Sequence, residues 1–420
     1  MKAAIHRLKN GTRVVTVPLK NRTAVSLGVW VHVGGRDETS RLNGVSHFLE
    51  HLLFKGTRTR SAKEIKESVE GVGGSFNAFT SEESTCYLAK ISSRHLEGVL
   101  DVLCDMTLNA TLEPGDIEKE RTVILEEIKM TQDQPSQYVD EVLTEILWPG
   151  HALGRPIAGT IESVRALTRE DIAGYRDTFY APPFFTVVAA GAVNPNAFLK
   201  MTDRRLGSVS KKSAKKFLSF KRKDQKPLVK TVKKDTEQTH LALGVHGFPK
   251  AHPQSHAVNV LSVLLGGNMS SRLFNEVREE RGLAYEIGSY TKKFAETGAF
   301  VVEAGVDNRK VEEALKVILK ELRRVTEEPV DPRELDRAKE YYLGQLELGL
   351  ESSMDAMLWA GESLVCLGRY RTPEEVMRGV KKVSAVDVRR AACTLFKTQS
   401  FHLAAIGPKA DSLQDSFPHF

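Results

Sequence analysis

Leu27-Gly28-Val29 returns as Leu243-Gly244-Val245, 216 residues later. The same offset carries Leu167 to Val383, Thr168 to Ser384 and Asp171 to Asp387. It also carries Tyr180 to Phe396, Phe185 to Phe401 and Gly191 to Gly407, with no gap needed at those places. A shared offset at opposite ends of each half points to two copies of one domain, and so long a period excludes a solenoid. The 420-residue length agrees, because it exceeds what one hydrophobic core ordinarily serves.

Each copy reads as strands, then helices, then a closing strand. Thr23 to Val33 is apolar and β-branched, a strand. Ser61-Ala62-Lys63-Glu64 is a capping box, with Ile65 and Val69 at helical spacing and Gly71 as a stop. Ser75 to Ile91 reads as a hairpin or edge-strand region. Leu96, Val99, Leu100, Leu103 and Met106 form a helical stripe. Helices follow from Pro114 to about Met130, through Val139, Val142, Leu143 and Ile146, and after the Thr168/Asp171 cap. Thr186 to Val193 closes the first copy and Phe401 to Ile406 the second. Strands mixed with paired helices, without strict βαβ alternation, predict an α+β fold. Each of the two homologous domains is then a largely antiparallel sheet packed with helices.

Between Lys211 and Asp235 stand eleven Lys or Arg and two Asp. This run divides the chain into an N-terminal domain (1–210), a basic linker (211–235) and a C-terminal domain (236–420). No aromatic platform interleaves the charges as in single-strand binders, so the run reads as a solvated linker and nucleic acid is not an expected partner. Hydrophobic content of 41% and charged content of 27% are those of a soluble globular chain. No apolar run reaches a membrane span. Met1 to Gly11 is mixed and charged, unlike a secretory signal, and a cytoplasmic location is expected. Cys86, Cys104, Cys366 and Cys393 lie far apart without a Cys-x-x-Cys pair, so buried free thiols are expected rather than disulfides or thiolate metal sites.

Residues 43 to 55 read Asn-Gly-Val-Ser-His-Phe-Leu-Glu-His-Leu-Leu-Phe-Lys. On a helix His47 and His51, four apart, share one face, and two imidazoles so placed can reach one zinc ion. Glu50 lies beside that face, within reach of a water at the metal but poorly placed as a third ligand. The order is the inverted His-x-x-Glu-His signature of zinc peptidases. A catalytic zinc wants a third protein ligand and an open position. Glu120, Ile124 and Glu127 share a face of the helix after Pro114. By pattern alone the two glutamates are either exposed helix residues, or a ligand with a carboxylate that orients a histidine.

Ser46 to Thr57 closely resembles the pitrilysin-type metallopeptidases, in particular the half-size branch that contains the mitochondrial processing peptidase. The resemblance continues through Gly74-Ser75-Phe76-Asn77-Ala78-Phe79-Thr80, Glu120 to Glu127, Leu153-Gly154-Arg155 and Ser271-Arg272-Leu273-Phe274. It implies Glu127 as the third zinc ligand and Glu120 as its support. It also implies that Arg278 and Tyr285 hold substrate and oxyanion, with Arg281 as a decoy for Arg278. Asn77, Ala78, Phe79 and Thr80 match the family's edge strand, which binds substrate as an added strand. In presequence-cleaving members two acidic residues receive a basic substrate side chain. The matching positions are Gln137 and Glu141, which favours a broad oligopeptidase over an Arg-selective enzyme. Gly266-Gly267-Asn268 is likewise too short for the long glycine-rich loop of the processing enzyme's non-catalytic subunit.

The 216 offset sends His47 to Val263, Glu50 to Gly266 and His51 to Gly267, so one Zn2+ per chain is expected. One half carrying zinc and a related half completing an enclosed chamber agrees with the family. A chain holding both elements then implies a homodimeric endopeptidase acting on flexible peptides. The rival reading is a non-catalytic assembly subunit.

Overall fold

The computed structural model describes residues 1–213, 217–221, 226–397 and 401–417. Part of the basic run therefore lies outside the described residues. The chain forms two compact units. The first comprises Met1–Lys129, Arg155–Leu218 and Leu348–Thr372, and the second Met130–Gly154, Ser219–Glu347 and Pro373–Phe420.

The first unit holds strands β1 (Ala4–Arg7), β2 (Arg13–Pro18), β3 (Ala24–Val31), β4 (Ser75–Thr80), β5 (Thr85–Ser92) and β6 (Phe185–Gly191). Their order across the sheet is β1-β2-β6-β3-β5-β4. All pairs are antiparallel except β2 with β6. The second unit holds β7 (Val229–Val232), β8 (Gln238–Gly247), β9 (Ala284–Lys293), β10 (Gly298–Asp307) and β11 (His402–Ile406), in the order β7-β11-β8-β10-β9. Again one pair, β7 with β11, is parallel. Strand for strand the second sheet repeats β2-β6-β3-β5-β4, and the α+β expectation holds in both units. β7 lies inside the basic run, so that run includes a strand of the second sheet as well as connecting chain.

Five helices precede residue 150: α1 (Val45–Leu52), α2 (Ala62–Glu70), α3 (Leu96–Asn109), α4 (Pro114–Asp133) and α5 (Pro135–Leu147). β3 reads as a nearly continuous apolar run because both its faces are covered. One face joins Leu27 and Val29 to Phe48 and Leu49 of α1 and Leu100 and Leu103 of α3. Trp30 and its neighbours on the other face meet Ala356, Met357, Ala360 and Leu364. Those four belong to the helix Ser353–Leu367, which comes from the far half of the sequence. In the second unit α5 plays the same part. Val139, Val142, Leu143 and Leu147 pack on Ala242, Val301, Ala404 and Ile406. Each unit thus includes a helix from the opposite half, so the units differ from the division at 1–210, 211–235 and 236–420. A fully buried Leu or Met contributes about 1.5–3 kcal/mol, so Met357 and Leu364 supply most of the packing between this helix and the sheet, with the two alanines allowing close approach.

The cysteine expectation is corrected in part. Cys86 and Cys104 are buried free thiols, but Cys366 and Cys393 are only partly buried, and Cys393 Sγ donates to the Thr326 carbonyl oxygen at 3.5 Å.

Candidate metal centre

α1 buries Val45, Phe48, Leu49 and Leu52, which leaves His47, Glu50 and His51 on the opposite side. Its start is unusual. The residue before it, Gly44, has φ +92° and no side-chain cap. A Cβ there would lie 2.7 Å from the Ala158 carbonyl oxygen, so glycine is required. The missing cap is supplied from a distance. The buried Glu38 carboxylate accepts hydrogen bonds from the Gly44 and Ser46 backbone N–H groups, each at 2.8 Å, and from Asn43 Nδ2 at 3.2 Å. Burial nevertheless pushes the Glu38 carboxyl up to about 7. Arg155 Nη2 donates to the Glu38 carbonyl oxygen at 2.7 Å and fixes the loop.

Glu127 reaches this helix from α4. Its Oε2 lies 3.6 Å from His51 Nε2 and 3.9 Å from His47 Nε2. These are long for direct hydrogen bonds. They suit ligands of a common ion, since donors about 2.1 Å from a tetrahedral zinc stand about 3.4 Å apart. His47, His51 and Glu127 are the one group of three or more candidate ligands that converges among the described residues, all within 4.8 Å. Burial, then the neighbouring His51, holds His47 down at about 4, so its imidazole is neutral at neutral pH, as a ligand must be.

Glu120 lies about two turns before Glu127 on the same face of α4 and is buried. Its Oε2 is 3.0 Å from His51 Nδ1, and its Oε1 pairs with Lys55 Nζ at 2.6 Å. The ring nitrogen facing Glu120 is thereby a donor, which leaves Nε2 as the lone pair directed at Glu127. Glu50 lies near enough to Glu127 to feel its like charge, which adds to burial in raising its carboxyl. Glu50 Oε2 accepts a 2.6 Å hydrogen bond from Thr80 Oγ1. Burial raises the Glu50 carboxyl, against the hydrogen bond from Thr80 and the attraction of His51.

Thr80 ends β4, an edge strand of the first sheet, on which Asn77, Ala78 and Phe79 also lie. Asn77 Oδ1 accepts from the Ala78 N–H at 2.8 Å, and Phe79 packs edge-on against Trp30 at 5.5 Å.

Arg278 and Tyr285 belong to the second unit. Arg278 sits on a π-helical turn, Phe274–Glu279, a widened geometry that often marks functional positions. Its guanidinium lies 4.7 Å from the Phe274 ring centroid and 5.1 Å from that of Tyr285. Tyr285 is 72% exposed, unusual for a residue of its size. Arg281 turns away to pair with Glu276 at 3.2 Å. Glu141 lies on α5, where burial, then the neighbouring Asp140, raises its carboxyl.

Sequence reading missed Glu38, Lys55 as the partner of Glu120, and the bond from Thr80 to Glu50. The last two sit inside quoted motifs, but their pairing spans separate elements. Glu38 gave no periodic signal.

An insulinase (peptidase family M16) model matches residues 13–161, and a model of the M16 inactive domain matches residues 166–342. An uncharacterized zinc protease of Bacillus subtilis is 36% identical over 403 residues, covering 96% of this chain and 98% of the relative. One from Streptomyces coelicolor is 38% identical over 418 residues, covering 96% and 89%. A solved Helicobacter pylori protease is 27% identical and superposes with TM-score 0.92 over 97% of this chain and 99% of its own. The M16 inactive-domain structure from Pseudomonas fluorescens, 18% identical, shares the fold at TM-score 0.89 over 97% and 98%. The chain belongs to peptidase family M16, among half-size members with two homologous domains.

Proposed function

We propose that this protein is a zinc-dependent endopeptidase that hydrolyses unfolded or flexible oligopeptides in an enclosed chamber. The observation that carries the reading is the convergence of His47, His51 and Glu127, with Glu50 on the same helix face. One Zn2+ per chain, held by these three, would supply Lewis acidity to the hydrolytic water and the peptide carbonyl. Glu50 takes the proton of the attacking water and passes it to the leaving amine. Glu120 holds His51 in the ligating tautomer. The substrate adds to β4 along Asn77–Thr80, so backbone is read more than side chains. Glu141 is the one acidic residue where presequence-cleaving relatives have two, which favours broad specificity.

Arg278 anchors the peptide backbone and Tyr285 donates to the developing oxyanion. We place these two in the site of a second copy, making the enzyme a homodimer in which each chain completes its partner's centre. The exposure of Tyr285 and its stacking with Arg278 support this, since a preorganised pair that its own unit leaves uncovered is available to a neighbour.

Cleavage of a quenched fluorescent peptide library by zinc-loaded protein tests the reading. Wild type should cut, and Glu50→Gln should bind zinc without cutting. A wild type that binds zinc and cuts nothing, as an assembly subunit would, contradicts it.

A further inference from the structure

Thr80 has a place on the substrate strand, but its side chain is already occupied. Among the described residues, its hydroxyl is the one hydrogen-bond partner of the Glu50 carboxylate, at 2.6 Å. The alternation of β4 explains the geometry. Side chains at 76, 78 and 80 share one face of the strand, and 79 takes the other. Phe79 faces Trp30. Phe76 and Ala78 pack against the core cluster that contains Phe48 and Leu49 of α1. Phe76 also meets Phe54, just past the end of α1, with ring centroids 5.4 Å apart. The edge strand is therefore fixed to the metal-bearing helix at two points, an aromatic contact at one end and the bond from Thr80 to Glu50 at the other.

We propose that Thr80 is a positioning residue for the general base. Its hydroxyl engages Oε2 of Glu50, which fixes the carboxylate plane and leaves Oε1 to face the attacking water. The backbone of the same residue is part of the edge offered to substrate. Docking of the peptide strand and alignment of the base are thus tied to one residue. This rests on the peptidase reading above, because it needs Glu50 to act as the base. A carboxylate without this tether samples its side-chain rotamers, and misplacement of a reacting group by about 1 Å costs roughly 100-fold.

The experiment compares wild type, Glu50→Gln, Thr80→Val, Thr80→Ser and the double variant Thr80→Val/Glu50→Gln, each with its zinc content and thermal midpoint. Thr80→Val removes the donor at nearly constant shape, and Thr80→Ser restores it. The expected result is a kcat loss of roughly 10- to 100-fold for Thr80→Val, with KM and zinc content held. Thr80→Ser should recover most of the rate, and Thr80→Val should cost nothing further in the Glu50→Gln background. A Thr80→Val enzyme with wild-type kcat, or one impaired in KM alone, overturns the proposal while leaving the peptidase reading in place. If wild type cuts no peptide, the peptidase reading fails by itself, and the thermal midpoints still decide the contact. Non-additive shifts of the two single variants support the tether, and additive shifts overturn it.

Discussion

The two units share a sheet order and differ at one helix end. In the first, α1 presents Glu50 toward β4, and the edge strand stands far enough off for a carboxylate and a threonine hydroxyl to meet between them. In the second, the corresponding helix Ser255–Gly266 ends in Gly266 where the first has Glu50. A Cβ on Gly266 would lie 2.5 Å from the Ser289 backbone nitrogen of β9. Reciprocal bonds close the gap: Ser262 Oγ donates to the Ser289 carbonyl at 3.0 Å, and Ser289 Oγ donates to the Ser262 carbonyl at 2.9 Å. The same architecture therefore leaves room for the base side chain in one copy and closes that position with strand backbone in the other. The counterparts of His47 and His51 in the second copy are Val263 and Gly267, and at the counterpart of Glu50 a side chain would meet the β9 backbone.

The largest effect that sharpens this contrast is loss of the base. Glu50→Gln should lower peptide hydrolysis about 10²- to 10⁴-fold with zinc retained, measured by initial rates beside metal analysis. Glu120→Gln comes next. It weakens the hold on His51 Nδ1, and a zinc-chelator competition should show affinity falling about 10- to 100-fold. An attempt to open the second copy is expected to destabilise it. Gly266→Ala should cost about 1–3 kcal/mol in chemical denaturation, since the clash is with backbone that cannot step aside. A neutral result there would break the comparison.

The smallest effect is in pH dependence. Burial raises the Glu303 carboxyl of the second unit from 4.5 to about 7. Its Oε1 and Asp140 Oδ1 each lie 2.5 Å from the Tyr290 hydroxyl, which has one proton to donate, so a protonated Glu303 satisfies the remaining contact. The folded chain holds this proton more tightly than the unfolded chain does. Its contribution to stability is fully present below about 4.5 and is lost as pH rises through about 7. Glu303→Gln should flatten the decline of the thermal midpoint across that window, and an unchanged slope would remove Glu303 from the account.

Much of this was legible in the chain itself. His47, Glu50 and His51 declare a helix face because their spacing matches its period. Glu120 and Glu127 do the same on α4. The 216-residue offset foretold two like sheets. The exchange of α5 and the helix Ser353–Leu367 was not legible, because an apolar stripe states that a helix packs but not on which sheet. Glu38 was hidden for a related reason. A distant carboxylate replaces a local cap, and no residue near Gly44 announces the substitution. The close contact of Gly266 with β9 was visible only as a missing counterpart of Glu50, since sequence reports the loss of a side chain but not what moves into its place.

In the proposed homodimer one unit supplies metal and base while the other supplies Arg278 and Tyr285 to a second copy. Mixing Glu50→Gln chains with Tyr285→Phe chains tests it most directly. If the sites are shared, random exchange makes half the dimers mixed, each with one intact site, and activity should return to about a quarter of wild type. A mixture no more active than its inactive parents, in dimers shown to exchange, would contradict the account.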